Sequence, residues 1–166
     1  MIKNKTVRIL AVAPLSRGFG YAVMEGPDTL VAAGNKAFRR DKNDRSVAWV
    51  AKFIRFYQPG VLVLPDVNAA DTHRAQRIKA LHRKLGVLAR GHQLKVKLIS
   101  ATQQRERLLG DRTGTKQAMA KALAAKFPVE LAARLPPKRR PWMSEDPRMD
   151  LFDAVGLAVA FWLKGK

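Results

Sequence analysis

The sequence near the C-terminus reads Met149-Asp150-Leu151-Phe152-Asp153-Ala154-Val155-Gly156-Leu157, which predicts the start of a helix. Residues three apart lie on one helix face, so the carboxylates of Asp150 and Asp153 should point the same way. The positions that follow on this face are apolar and should pack against a core. The two acids are then either favourable partners of the helix dipole or part of a divalent-metal site that faces a polyanionic substrate.

The composition indicates one globular domain, spanning residues 1–166, that binds a polyanion. Of its 166 residues 47% are hydrophobic, which is enough for a single core. The 32 Lys and Arg residues outnumber the 13 Asp and Glu residues, and the formal charge is +19. Nucleic acid is therefore the leading partner, ahead of an anionic membrane or of ribosomal RNA as a purely structural partner.

Other residue types narrow the class of protein further. The sequence has no cysteine and three histidines, which excludes disulfides and thiolate catalysis and disfavours a histidine-rich metal site. No segment is long and apolar enough to span a bilayer, and the N-terminus lacks the cleavage site of a signal peptide. We therefore expect a cytoplasmic protein that makes no membrane contact.

The hydrophobic periodicity predicts a mixed α/β domain. The first three strands should form an antiparallel meander and the later two should join it in parallel, giving a mixed five-stranded sheet with helices on both faces. The helix over 70–91 is basic and amphipathic, with an apolar seam of Ile78, Leu81, Leu85 and Leu88. The predicted strands cover 6–13, 20–24, 30–38, 61–64 and 94–99, and the predicted helices cover 44–57, 70–91, 103–109, 115–127 and 147–163.

This order of elements, with the terminal Asp-x-x-Asp helix, resembles the ribonuclease H-like fold and, within it, the RuvC-type Holliday-junction resolvases. The resemblance covers nearly the whole chain. Its most specific stretches are residues 9–23, residues 149–158 and the segment Gly114-Thr115-Lys116 before a helix, where Lys116 matches a basic residue near the family's active centre. The resemblance implies a homodimer that binds branched DNA.

The resemblance also implies a magnesium-dependent nuclease, in which carboxylates hold two metal ions that activate water and steady the leaving oxygen. The family's third and fourth carboxylates match Asp150 and Asp153, which are the expected metal ligands. The first position is Ala13 in this chain. The second position is Pro65, with Asp66 beside it. Adjacent strand residues point to opposite faces, so Asp66 should point away from the face of Pro65. The chain therefore departs from the family at two of the acids, and we expect weak magnesium binding or none.

The basic residues provide candidate contacts to nucleic acid that do not depend on catalysis. Alternatively, any one of these residues is a charged surface side chain that contacts only solvent. Glu145 and Asp146 are interpreted as caps of the last helix, while Phe19 and Tyr21 should pack in the core. Trp142 either touches substrate or clamps its own loop. The candidate contacts are Arg17, Arg105, Arg107, Arg112, Lys116, Lys138, Arg139 and Arg140.

Three functions follow from these patterns. The first is a protein that binds branched or duplex DNA through a basic groove, with a catalytic centre impaired at Ala13 and Pro65. The second is an active magnesium-dependent endonuclease that uses Asp66, Asp150 and Asp153, with Lys116 beside them. The third is a basic scaffold that binds RNA or a ribonucleoprotein and uses the fold only as a platform.

Overall fold

The computed structural model describes residues 7–67, 76–138, 140, 142–143 and 146–163, and these form a sheet with helices on both faces. The strands are β1 (Arg8–Pro14), β2 (Gly18–Glu25), β3 (Leu30–Ala37), β4 (Val61–Pro65) and β5 (Lys95–Ile99). The helices are α1 (Lys42–Tyr57), α2 (Gln76–Gly91), α3 (Ala101–Leu109), α4 (Lys116–Lys126), α5 (Pro128–Leu131) and α6 (Met149–Trp162), with a 3₁₀ turn at Ala132–Arg134.

The sheet has the strand order β3-β2-β1-β4-β5. Strands β1, β2 and β3 pair antiparallel, whereas β4 pairs parallel with both β1 and β5. The predicted five-stranded mixed sheet, with its meander and two parallel additions, is confirmed. The carboxyl ends of β1 and β4 lie side by side, which brings positions 13 and 65 to the same edge of the sheet.

Side chains alternate between two cores because the strand period is two. Odd-numbered residues of β1 and β4, such as Ile9 and Val63, pack with α4, α5 and α6 in one cluster. Even-numbered residues, such as Leu10 and Leu62, pack with α1 and α2 in the other. Strand β2 reverses this parity because Ala13 pairs with Gly20. Ala13 and Pro65 therefore belong to the α6 face of the sheet.

Several elements begin or end one to three residues away from their predicted boundaries. Pro14 still pairs with Phe19 as the last residue of β1, and β2 begins at Gly18. Helix α3 begins at Ala101 because Ser100 and Gln103 form a capping box. Helix α6 begins at Met149 instead of Pro147. The predicted helix over 70–91 is present from Gln76, and its first six positions lie outside the described residues.

Sequence periodicity did not predict α5 or the turn that follows it. Both elements are too short to show a period, with four and three residues. Leu131 nevertheless is fully buried in the α6 core. These residues lengthen the connection between α4 and the loop at 135–138, which borders the site described next.

The predicted roles of the apolar side chains are largely confirmed. Ile78, Leu81 and Leu85 are buried and Leu88 packs partly against them, so the seam of α2 belongs to the chain's own core. The aromatic pair on β2, Phe19 and Tyr21, packs against Phe53 of α1, with ring centroids 6.3 and 4.4 Å away. Across the described ranges, no helix has the length and apolar character needed to cross a membrane.

Candidate functional site at the strand ends

A pocket opens where β1 and β4 end, between α3, α4 and α6. Its cavity volume is about 80 Å³. Two of its walls are Ala13 and Pro65, the positions where the resemblance expects acids. The other lining residues are Pro14, Leu15, Ala101, Gln104, Arg105, Lys116, Met119, Asp153 and Leu157.

Helix α6 brings Asp153 into this pocket because its first turn lies directly on β2. A Cβ atom added at Gly20 would overlap the backbone carbonyl of Asp150, so glycine is needed for this approach. Ala154, Leu157 and Ala160 are buried at 0%, 1% and 0% exposure, as predicted for the face that follows the acidic pair.

The two acids of α6 contact different cations. Asp153 Oδ2 lies 3.8 Å from Lys116 Nζ, across the pocket. Asp150 does not line the pocket. It is buried, with its side chain 5% exposed, and its Oδ1 lies 3.3 Å from Arg17 Nη2 in the turn between β1 and β2. Each acid therefore has a basic neighbour on another element.

The turn that carries Arg17 is held in place by further basic side chains. Arg77 of α2 donates from Nη2 to the carbonyl oxygens of Leu15, at 2.6 Å, and Ser16, at 3.1 Å. Lys42 donates to the same Ser16 oxygen at 3.0 Å. Sequence reasoning missed both residues. The sequence shows that α2 has a basic face, but the contact of that face with this turn depends on the fold.

Two short helices position the other cations of the pocket. Ser100 and Gln103 cap α3, which carries Arg105 into the wall. The hydroxyl of Thr115 accepts from the Ala118 amide at 3.0 Å and so caps α4, which Lys116 opens. Arg105 Nε is buried and has no hydrogen-bond partner within the part of the chain that the structure describes.

Asp66 lies away from the pocket. Its backbone amide donates to Ile99 O at 3.0 Å, and its charge acts on His82 of α2, on the opposite side of the sheet from α6. Burial lowers the pKa of His82, while the Pro65 carbonyl and the Asp66 charge oppose that shift. The alternation of strand side chains thus keeps Asp66 apart from Asp153, as the period of two predicts.

The remaining predicted contact residues are spread over several surfaces. Arg107 donates to the Ala160 carbonyl at 2.9 Å, which ties α3 to α6, and its contact with nucleic acid stays a prediction. Arg112, in the turn after α3, pairs with Glu106 of that helix. Lys138 borders a second cavity, of about 420 Å³, that shares Lys116 with the first. Arg139 lies outside the described residues.

The loop before α6 contains an exposed aromatic residue and a strong ion pair. Trp142 is 75% exposed, and the guanidinium of Arg140 lies 5.6 Å from its ring centre. Hydrogen bonds from the side chain and backbone of Arg148 lower the pKa of Asp146 to about 2. Asp146 accepts from the Arg148 amide, but Arg148 is itself the N-cap residue and α6 has no side-chain cap hydrogen bond, so the predicted capping by Asp146 is wrong. Glu145 lies outside the described residues.

The pocket does not suit a divalent metal. Magnesium needs several hard oxygen ligands, usually carboxylates, and keeps its waters without them. Among the described residues lining this pocket, Asp153 is the one carboxylate, and two cations face it. No group of three or more His, Cys, Asp or Glu side chains within the described ranges could hold a metal ion.

Comparison with known structures identifies the fold. Thermus thermophilus RuvC superposes with a TM-score of 0.71 at 14% identity, covering 95% of this chain and 94% of that one. The yeast mitochondrial Holliday junction resolvase Ydc2 gives 0.63 at 12% identity, covering 95% and 78%. Fowlpox virus resolvase, solved with substrate Holliday junction DNA, gives 0.57 at 14% identity, covering 93% and 97%. No protein-family model and no curated protein sequence matches the chain.

These superpositions establish the RuvC-type, ribonuclease H-like fold expected from the sequence. They cover almost all of the chain. At such low identities they establish the fold alone, so the activity has to be argued from the residues of the pocket.

Proposed function

We propose that this protein binds branched DNA through the basic surface at the strand ends and does not hydrolyse it. The observation that carries the proposal is the composition of the pocket: Ala13, Pro65, Arg105 and Lys116 surround Asp153. A nuclease of this fold needs an acidic cluster at that edge to hold metal. Here neutral and basic side chains replace the acidic cluster. These side chains favour binding of the DNA phosphate backbone over its hydrolysis.

Two further observations support DNA as the partner. The formal charge of +19 favours any polyanion, because each neutralised phosphate releases counterions. Thermus thermophilus RuvC, also solved in complex with Holliday junction substrate, superposes on 93% of this chain with a TM-score of 0.69. By analogy with that protein, we propose a junction as the preferred ligand.

The endonuclease that would use Asp66, Asp150 and Asp153 has less support. Asp66 acts on His82 on the α2 side of the sheet, and Asp150 is bound by Arg17. Neither of them lines the pocket with Asp153. A metal shared by all three carboxylates would need the end of β4 and the first turn of α6 to rearrange.

Competition binding tests the proposed partner. A labelled four-way junction is bound to the protein and displaced by unlabelled junction, by linear duplex of the same sequence, or by duplex RNA. We expect the junction to compete best by a wide margin. Equal competition by the duplex would refute the preference for branches, and strongest competition by RNA would favour the scaffold function.

We also propose that the protein acts as a homodimer, since a four-way junction offers two symmetric binding surfaces. The buried seam of α2 leaves Val87, 62% exposed, on the outer face of that helix. Sedimentation equilibrium should give about twice the mass of the 18.5 kDa chain. A monomer that still prefers the junction would refute the dimer and leave the DNA-binding proposal in place.

A further inference from the structure

In the described part of the chain, the side chains lining the pocket at the strand ends carry one more positive than negative charge. We propose that it binds a single phosphate group of the nucleic acid directly, through Arg105 and Lys116, with no divalent metal. This inference rests on the proposed function and deepens it, because it assigns the contact made where a nuclease would place its metals. The two basic side chains replace the electrostatic role of those ions.

The charges around the pocket fit a phosphodiester and oppose a metal cation. Arg105 and Lys116 line the cavity with Asp153, while the Asp150 carboxylate is bound by Arg17 outside it. Among the lining residues that the structure describes, the net charge is therefore +1, the complement of a phosphodiester. An ammonium group has three donors, so Lys116 can bind both the Asp153 carboxylate and a phosphate oxygen.

The hydrogen bonding of the Arg105 side chain also favours a bound phosphate. Its Nε is buried without a partner in the described part of the chain. Leaving a buried donor without a hydrogen-bond partner is unfavourable, most of all for a charged group. A guanidinium binds phosphate oxygens with paired N–H donors, which would satisfy this group.

The size of the cavity suits a phosphate. A single water needs about 10–15 Å³ of such space, so about 80 Å³ accommodates a group of several heavy atoms. Ala13 and Pro65 contribute to this room and add no negative charge. Acids at both positions would narrow the cavity and repel the phosphate unless metal ions neutralised them.

The test compares matched charge deletions in a buffer containing a metal chelator. Lys116→Ala is paired with Lys121→Ala, an exposed position on the same helix, and Arg105→Gln is paired with Arg90→Gln on the exposed face of α2. Junction affinity is measured over a range of salt concentrations. We expect each pocket variant to reduce the slope of log affinity against log salt concentration, by up to the value of about 0.9 for one lost phosphate contact, and each control to leave the slope unchanged.

Asp153→Asn provides a variant whose effect cannot come from misfolding, because a gain is expected. Removing this carboxylate should tighten junction binding in the chelating buffer by about fivefold, the size of a repulsion between unit charges about 4 Å apart in water. Unchanged or weaker binding by Asp153→Asn would overturn the inference.

Inorganic phosphate distinguishes the failure of this inference from the failure of the proposed function. Titrated into the metal-free protein, it should shift the amide resonances of Arg105 and Lys116 in the wild type and not in Lys116→Ala. If the junction binds but pocket variants match their controls and no pocket amide shifts, the inference fails and the function stands. If phosphate shifts these amides but the junction is not preferred, the phosphate site stands and the proposed function fails.

Discussion

Gly20 allows the first turn of α6 to lie against β2, and the placement of Asp153 depends on that contact. A methyl group at position 20 would overlap the Asp150 carbonyl, which is backbone and cannot rotate away. We expect Gly20→Ala to lower the free energy of unfolding by about 1–3 kcal/mol, as overpacking of a core does. Chemical denaturation measures this change.

Gly60→Ala is the matched control for that substitution. Nothing lies within 4 Å of a Cβ added there. The control should change the free energy of unfolding by less than about 0.5 kcal/mol. Equal effects of the two substitutions would mean that α6 does not rest on β2 as described.

His82 should make stability depend on pH near neutrality. Its Nε2–H group donates to the Pro65 carbonyl at 2.9 Å, and burial lowers its pKa below 6.5. The unfolded chain therefore binds the proton more readily, so stability is lost as pH falls through about 6.5. We expect the melting temperature to fall between about pH 7.5 and pH 5.5, and to fall less in His82→Gln, which keeps a donor. Equal slopes in both proteins would contradict this role.

The residues at the pocket were partly predictable from sequence. The resemblance to the resolvases predicted that Ala13 and Pro65 would lie at one site, and the strand period of two predicted that Asp66 would point to the other face of the sheet. The partners of the acids were not predictable, because Arg17 and Asp150 are 133 positions apart. The same holds for Arg107, whose partner carbonyl at Ala160 is set by the packing of α3 on α6.

At the scale of elements, the capping box of α3 fixes where Arg105 enters the pocket. The Ser100 hydroxyl accepts from the Gln103 amide at 3.1 Å, and the Gln103 side chain accepts from the Ser100 amide at 2.9 Å. We expect Ser100→Ala to lower the free energy of unfolding by about 1 kcal/mol. Ser100→Thr keeps the hydroxyl and should retain most of the stability. Denaturant titration of the three proteins checks the order, and a Ser100→Ala protein as stable as the wild type would contradict it.

The long helices and the strands were predictable, but the short elements were not. Helix α1 shows a clear helical period in its apolar residues and β4 is an unbroken apolar run, and their positions agree with expectation within two residues. Helix α5, with four residues, has no period to detect. Its position depends on Leu131 packing into the α6 core, which is a tertiary contact.

At the scale of the whole molecule, the order of elements was sufficient to predict the fold. Three strands in a meander followed by two helix-linked strands leave few arrangements of a mixed sheet. The sequence does not by itself indicate the sign of the charge in the pocket. That sign results from α3 and α4 bringing Arg105 and Lys116 to the edge where β1 and β4 end.

Acids placed at positions 13 and 65 should convert the pocket from a phosphate-binding site into a metal-binding site. We expect Ala13→Asp combined with Pro65→Glu to bind magnesium by calorimetry and to bind the junction more weakly in a chelating buffer. The control is Gln76→Glu with Gln93→Glu, which adds the same charge at two exposed positions. Equal junction affinity in the two double variants would mean that the added acids do not act through the pocket.

Strand integrity of a bound four-way junction shows most directly whether the protein binds branched DNA without cutting it. The wild-type protein is incubated with labelled junction in magnesium buffer, and each sample is run on a native gel and on a denaturing gel. We predict a shifted complex on the native gel and uncut strands on the denaturing gel. Nicked strands that increase with protein, require magnesium and disappear in Asp153→Asn would contradict the account.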